Sequence, residues 1–391
     1  SRCMRTLKRM CTTNSRIGRS VVSYRMPKHT QLYDWHRNNG AKFAPFAGWE
    51  MPMQYGTGAI AEHRLVRSSA GLFDVSHMGQ FSVTGEGAAD WLERMVSAEI
   101  VSVQPNGSTY ALLCREDGGV LDDLFIYRLA DEWLIVANAA NEQSDFAWLT
   151  VHLPGDGSVT LTNRSAEYAM FAWQGPRAIE VMDSVTGGSA SAIERFSSNR
   201  GEIAGHQLTV GRTGYTGEDG VELFLANEAA ETVWTAILAE AERLGVEAGP
   251  IGLAARDSLR FEPGFALYGH ELSTAVTPVE ARLTWACSLD TPFIGRDAIY
   301  ELKEAGPKRK LATLRMVEKG VPREGCEILA DGQEVGEVVS GMYAPTVDAY
   351  CANAFLLPEW AKRGTVVDVD IRGRSKRAEV VRRPLYKPAY R

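Results

Sequence analysis

Between residues 108 and 138 the apolar positions fall into three short runs separated by turn residues. Tyr110-Ala111-Leu112-Leu113-Cys114 precedes Asp117-Gly118-Gly119. Val120-Leu121-Asp122-Asp123-Leu124-Phe125-Ile126-Tyr127 follows, and Trp133-Leu134-Ile135-Val136-Ala137-Asn138 closes the set. Asp-Gly between two apolar runs is a strong hairpin signal, so the stretch predicts a meander of three antiparallel strands. Side chains alternate across a strand. Asp122 therefore shares a face with Leu124 and Ile126, and Asp123 shares the other with Phe125 and Tyr127. The first face reads as core, the second as the wall of an aromatic-lined pocket holding one acid. A carboxylate against apolar surface is easily retuned in pKa, which general acid–base chemistry uses. From this stretch alone, turn geometry or pairing with an arginine is the simpler account of both acids.

The same periodicities predict a short helix over residues 31–38, an irregular aromatic stretch over 43–55, a helix over 58–70, a strand to residue 83 and a helix over 88–96. Beyond the meander come a helix over 141–152 with Asn141 as its N-cap, a strand over 168–173 and a helix to about residue 183. Strands follow at 206–212 and 220–225, then helices over 228–244 and 253–261. From residue 310 onward the pattern changes to short strands and turns. Asp331-Gly332 marks one hairpin and Gly373 another, the signature of a small barrel or sandwich.

Composition narrows the class. With 391 residues the chain exceeds one ordinary domain, and 45% hydrophobic against 23% charged residues fits large globular cores. No apolar run approaches the roughly 18 residues of a membrane span. The net charge of -7 disfavours general nucleic-acid binding. The six cysteines form no C-x-x-C pair, and the seven histidines show no ligand spacing, so no metal is expected. The first 33 residues contain no Asp or Glu but carry Arg2, Arg5, Lys8, Arg9, Arg16, Arg19, Arg25 and Lys28. With frequent Ser and Thr, this is the composition of a mitochondrial transit peptide and predicts the mitochondrial matrix as the location.

Three further motifs bear on chemistry. Gly214-Tyr215-Thr216-Gly217-Glu218-Asp219-Gly220 is a loop whose glycines would let backbone approach a ligand, and it lacks the Lys-Ser/Thr of a phosphate loop. Arg256 and Arg260 lie one helical turn apart on a side shared with Leu253. An arginine there pairs with a carboxylate, its own or a ligand's, and Glu222 is one candidate. His77 belongs to no triad order, and no G-x-S-x-G occurs, so it reads as a satisfied structural residue.

Phe46-Ala47-Gly48-Trp49, Phe73-Asp74-Val75-Ser76-His77-Met78, Gly118-Gly119-Val120-Leu121-Asp122-Asp123-Leu124, Gln174-Gly175-Pro176, Gly214-Tyr215-Thr216-Gly217-Glu218, Ala255-Arg256-Asp257, Leu267-Tyr268-Gly269 and Thr277-Pro278 occur in this order. From about Leu32 to the C-terminus this set resembles the aminomethyltransferases, the T-proteins of the glycine cleavage system. The resemblance implies an α+β fold of three domains in a ring, with a discontinuous first domain and a C-terminal small β-barrel. It divides the chain into a leader over 1–30, two intertwined α+β domains over 31–305 and a barrel over 306–391. It implies tetrahydrofolate as co-substrate and lipoylated H-protein as partner, with no metal, nucleic acid or membrane. Asp123 falls at the family's catalytic aspartate, orienting a folate ring nitrogen and assisting proton transfer. Glu222 falls at a pterin-binding position, Arg256 at a folate-contacting arginine and Tyr390 at a C-terminal folate-binding tyrosine. Met78, Tyr110, Tyr127 and Asn138 fall where the family lines its pocket. Two relatives share the fold. Folate-dependent demethylases act on small methylated donors. Non-enzymatic folate-binding iron–sulfur assembly factors carry a lysine-glycine-cysteine signature, whereas the loop here has no cysteine.

Overall fold

A computed structural model describes residues 26–388. Tyr390 and residues 1–25, most of the basic leader, lie outside the described residues. A short helix α1 (Tyr33–Asn38) leads into the strands β1 (Lys42–Phe46) and β2 (Trp49–Gln54), then α2 (Ala59–Ser68) and β3 (Ala70–Asp74). Next come β4 (Gly79–Thr84), α3 (Ala88–Met95), β5 (Ser108–Cys114), β6 (Val120–Arg128), β7 (Trp133–Ala137), α4 (Glu142–Val151) and β8 (Thr160–Asn163). The chain continues through β9 (Tyr168–Gln174), α5 (Ala178–Thr186), β10 (Ser198–Ile203), β11 (His206–Gly211), β12 (Gly220–Ala226), α6 (Ala230–Arg243), β13 (Ala248–Pro250) and α7 (Leu253–Phe261). Helix α8 (Arg296–Ala305) then precedes β14 (Lys310–Met316), β15 (Glu327–Ala330), β16 (Gln333–Ala344), β17 (Ala349–Leu356), β18 (Val366–Asp370) and β19 (Ser375–Val381).

Two sheets are intertwined. One has the order β10-β11-β12-β9-β3-β13, the other β5-β6-β7-β4-β8. The chain leaves the first sheet after β3, builds the whole of the second and returns at β9, which is the discontinuity expected of the first domain. The last six strands close into a barrel, β14-β17-β16-β15-β18-β19, with β19 pairing back onto β14. Its β15–β16 hairpin turns at Asp331 and Gly332, both at positive φ (51° and 76°), as a tight two-residue connection requires.

The predicted meander is present. Leu124 and Ile126 are buried with Trp91, Leu92 and Leu113 beneath α3, and Asp122 points to this same side. On the opposite face Tyr127, Leu134 and Val136 pack against Met170, Ala172 and Phe224 of the other sheet and Ala255 and Leu259 of α7. This contact fixes the angle between the sheets. Tyr127 is fully buried in it and does not line a wall, as the alternation alone implied.

Several strands are not predicted by the sequence, among them β1, β2 and β10, with the short β8 and β13. The aromatic stretch after α1 is the β1–β2 hairpin, turning at Ala47 and Gly48 (φ 49° and 80°). Pro45 and Pro52 argue against a central strand, but a two-stranded ribbon offers an outward edge where a missing N–H does no harm. Strand β10 reads Ser-Asn-Arg-Gly-Glu-Ile and is an edge strand whose Asn199, Arg200 and Glu202 face solvent. Asn141 sits at the N-cap of α4 without capping it. Its side-chain amide instead donates to Asp122 at 2.7 Å.

One buried polar junction ties α2, α7 and the barrel. Arg67 donates to Glu218 at 2.8 Å and to Glu262 at 3.0 Å. Glu262 also accepts from Thr346 Oγ1 at 2.6 Å and lies 3.3 Å from His63. Glu262 is fully buried and the Arg67 side chain only 8% exposed. Removing one partner from such a network leaves uncompensated charge in low dielectric, so Arg67→Met is expected to destabilise the protein by about 3 kcal/mol or more. Chemical unfolding measures it; a loss below about 1 kcal/mol would show that solvent reaches the junction.

Candidate active site

A cavity of about 1250 Å³ opens where the two sheets, the segment after α7 and the C-terminal tail meet. Its wall includes Tyr110, Asp123, Phe125, Thr213, Tyr215 and Arg383. Strand pairing brings the first three together: Tyr110 lies opposite Phe125 and Leu112 opposite Asp123, so Tyr110 and Asp123 stand diagonally on one face. Trp285, 71% exposed, stacks on Tyr110 with ring centroids 5.5 Å apart, and Phe196 stacks on Phe125 at the same mouth.

Asp123 is half-buried at the head of this aromatic wall. Its Oδ2 accepts from Tyr110 at 3.1 Å and its Oδ1 from the Asn138 amide at 2.8 Å. Burial, and then the neighbouring Asp122 carboxylate, push its pKa up to about 7, against the lowering effect of those two donors. Asp122 lies behind it with no exposed surface. It accepts from the Asn138 backbone at 2.9 Å, the Asn138 side chain at 2.9 Å and Asn141 at 2.7 Å. Two adjacent acids thus have opposite tasks. Asp122 faces core, where burial raises its pKa against the lowering effect of its donors, and Asp123 faces a cavity.

Behind the wall lies a second polar layer. Glu222 on β12 accepts from Tyr127 at 2.9 Å and from Thr213 at 2.6 Å. Tyr127 therefore supports Glu222, and Thr213 carries the contact to the cavity surface. Arg256 on α7 makes no ion pair with Glu222. Its guanidinium lies 4.8 Å from the ring centroid of Tyr215, and its Nη1 is buried with no hydrogen-bond partner. The paired arginine on this helix is Arg260, held at 2.8 Å by both Asp257 and Glu271. A buried guanidinium with a donor to spare is a natural receptor for a ligand carboxylate. His77 is buried as expected but not satisfied, because its Nδ1 has no partner; burial and the nearby Arg256 charge lower its pKa to about 4.

Of the sequence candidates, the structure brings Asp123, Tyr110 and Asn138 into direct contact, and links Glu222, Tyr127 and Arg256 to the cavity through Thr213 and Tyr215. Met78 is half-buried beside Phe125 and Tyr127 in the packing between the sheets. The Gly214 loop lines the cavity with Gly214, Gly217 and Gly220, as its glycines implied, and a Cβ at Gly214 would overlap the Gln174 amide, so glycine is required there. Thr213, Trp285, Phe265 and Arg383 were not singled out by sequence, since each comes from a loop or terminus remote from the meander. Among the described residues, no group of three or more His, Cys, Asp and Glu is placed to hold a metal ion, and no helix is long and apolar enough to cross a membrane.

Comparison with known proteins places this geometry. The GCVT N-terminal domain family matches residues 32–291, and the glycine cleavage T-protein C-terminal barrel domain matches residues 309–387. The chain belongs to the glycine cleavage T-protein family. Within it, the aminomethyltransferase of Bacillus velezensis is 42% identical over 366 residues, covering 93% of this chain and 99% of the relative. That of Herpetosiphon aurantiacus is 44% identical over 367 residues, with 93% and 99% covered. The crystal structure of glycine cleavage system aminomethyltransferase T from Bartonella henselae superposes with a TM-score of 0.86 at 32% identity, covering 92% of this chain and 98% of that one. The family fold, with its interrupted first sheet and terminal barrel, is thus the one observed here.

The raised pKa of Asp123 has a thermodynamic signature. The folded protein holds this proton more tightly than the unfolded chain, so the stability it contributes is present at low pH and is lost as pH rises through the folded pKa. Asp123→Asn, neutral at every pH, is expected to melt progressively higher than the wild type as pH rises from the ordinary value of 3.8 to about 7, with a constant gap above that. Melting curves of the ligand-free proteins decide it. A gap that does not change over this window would mean that Asp123 titrates like an exposed acid.

Proposed function

We propose that this protein is the aminomethyltransferase of a glycine cleavage system. It takes the aminomethyl group from the lipoyl arm of H-protein and transfers the one-carbon unit to tetrahydrofolate, yielding 5,10-methylenetetrahydrofolate, ammonia and dihydrolipoyl H-protein. The observation that carries this reading is Asp123: a carboxyl with pKa about 7, held by Tyr110 and Asn138 on the wall of an aromatic cavity. Family membership supplies the reaction class.

The reaction makes a specific demand on protons. Two folate N–H protons leave as the methylene bridge forms, and the departing sulfur and nitrogen each gain one. A carboxyl poised near neutral pH is suited to hold and release such a proton, because either protonation state is accessible. Tyr215, Phe125, Phe265 and Trp285 present aromatic surface for a flat pterin and its aryl extension. Glu222, behind Thr213, supplies an acceptor for ring N–H groups, and Arg256 supplies an unpaired donor for the glutamyl carboxylate. A cavity of this volume has room for both the folate and a slender lipoyl arm. The basic, acid-free leader supports the mitochondrial matrix as the place of work.

Ammonia release from aminomethyl-loaded H-protein, with and without tetrahydrofolate, tests the reading; release that is not accelerated by tetrahydrofolate would overturn it. Asp123→Asn is expected to lower turnover by about 10²-fold or more while folate binding falls much less, since proton-transfer groups contribute on that scale.

Arg256→Lys separates binding from stability. Because Arg256 forms no ion pair, the ligand-free melt is expected to stay put while tetrahydrofolate binding weakens, by about tenfold for the loss of a fixed fork of donors. Calorimetric titration alongside a thermal melt measures both. A large drop in ligand-free stability with unchanged affinity would make Arg256 a structural residue.

A further inference from the structure

A third acid stands behind the pair, and its surroundings differ from theirs. Asp145 on α4 is 2% exposed. One turn earlier on the same helix face is Asn141, which donates to Asp122. The Asp145 side chain is itself in hydrogen-bond contact with Asp122, and its Oδ2 has no partner at all. Among the described residues no N–H donates to its Oδ2. Asp122, by contrast, collects three N–H donors, and Asp123 collects one N–H and one O–H. Among the described residues no lysine, arginine or histidine forms an ion pair with any of the three, so three carboxyls share a desolvated space without a counter-ion. Such a cluster cannot be fully ionised. The donors decide where the charge goes: the carboxyl with three N–H groups holds the anion, and the one with none keeps a proton. Two carboxylates in hydrogen-bond contact would repel, whereas a carboxylic acid facing a carboxylate is a strong, charge-assisted pair.

We propose that Asp145 is a positioning residue for the transfer reaction: a permanently protonated acid whose O–H donates to Asp122, locking that carboxylate as a fixed anion against Asn138 and so setting the protonation and orientation of Asp123. The role assigned to Asp123 rests on the function proposed above; the arrangement of the three acids does not.

The pathway is short and each link is visible. Asp145 and Asn141 come from α4, Asp122 from β6, and Asn138 from the end of β7, where its single amide bridges Asp122 and Asp123. The groups facing the cluster are Tyr110 from β5, Tyr215 from the loop before β12, and Tyr268 from the segment after α7, phenols that burial and the nearby carboxylates keep protonated, so none of them brings a positive charge. Burial and the charge of Asp122 hold the Asp145 carboxyl up at about 11, consistent with its lack of donors. If the Asp145 donor is removed, Asp122 becomes harder to ionise and takes the proton itself. Asp123 then has a neutral neighbour, and its own pKa falls.

Aspartate side-chain carboxyls labelled with ¹³C and titrated in the ligand-free full-length protein give the test, with resonances assigned through Asp122→Asn, Asp123→Asn and Asp145→Asn. It needs no turnover, so failure of the proposed reaction and failure of this inference are distinguishable. In the wild type, the Asp145 resonance is expected to keep its protonated position up to about pH 9, and Asp123 to titrate near neutrality. Asp145→Asn preserves an N–H donor for Asp122 and is expected to leave the Asp123 midpoint in place. Asp145→Leu removes the donor and is expected to lower that midpoint by about one to two pH units, the equivalent of one hydrogen bond to a charged group. Where turnover is measured, the acidic limb of its pH profile moves with the midpoint in Asp145→Leu and stays in Asp145→Asn. An Asp145 that titrates as an ordinary acid in the wild type overturns the proposal even if Asp145→Leu does not fold. An Asp123 midpoint that shifts equally in both variants, or in neither, overturns it as well.

Discussion

A negative charge buried without a cation is the constraint on which the site depends. Asp122 is taken out of water at the head of a core strand, and an isolated carboxylate in that position would be prohibitively unfavourable. The chain resolves this with dipoles instead of an opposite charge. The end of β7 turns so that one residue, Asn138, offers both its backbone and its side-chain amide, and α4 is set down so that Asn141 and Asp145 point the same way. The placement of a helix, a strand end and the Asp123 side chain therefore follows from hydrating one carboxylate with protein groups. An arginine in that place would have been simpler, but it would have pulled the pKa of Asp123 down and removed its use at neutral pH.

The second polar layer applies the same logic with hydroxyls. Tyr127, buried between the two sheets, and Thr213, at the cavity surface, both serve Glu222. Apolar packing around Tyr127 fixes the sheets relative to each other, and its phenol fixes the acid. A single side chain thereby couples the geometry of the inter-sheet core to that of the binding surface. Arg256 is left free by this arrangement, since the carboxylate it was expected to pair with is already committed.

Much of this was legible in the sequence because it is local. Strict alternation after Asp-Gly gives the faces of β6 and separates Asp122 from Asp123, and the amphipathic run Leu253–Phe261 gives α7 to the residue. The run of short strands and turns after residue 310 gives a small β-rich domain. Where period-two patterning met proline, at β1 and β2, or met an edge that carries no apolar face, at β10, the signal disappeared. The site was legible only as far as single segments reach. That Tyr127 supports instead of lining, that Arg260 and not Arg256 is the paired arginine, and that Trp285 and Arg383 complete the cavity are facts about segments brought together from far apart. Asp145 left one local trace, its position one turn from Asn141 on the same helix.

The interruption of the first sheet bears on how the protein is made. Strand β3 is synthesised early, yet one of its neighbours, β9, comes after the whole of the second sheet, and the other, β13, later still. In a chain that emerges N-terminus first, the second sheet has all its strands before the first has its centre, so the inserted unit is the one able to fold first. Until Tyr168 onward has emerged, β3 carries unpaired backbone and an apolar surface of the kind that invites wrong partners. Because pairing so distant in sequence is slow to form, that window is long.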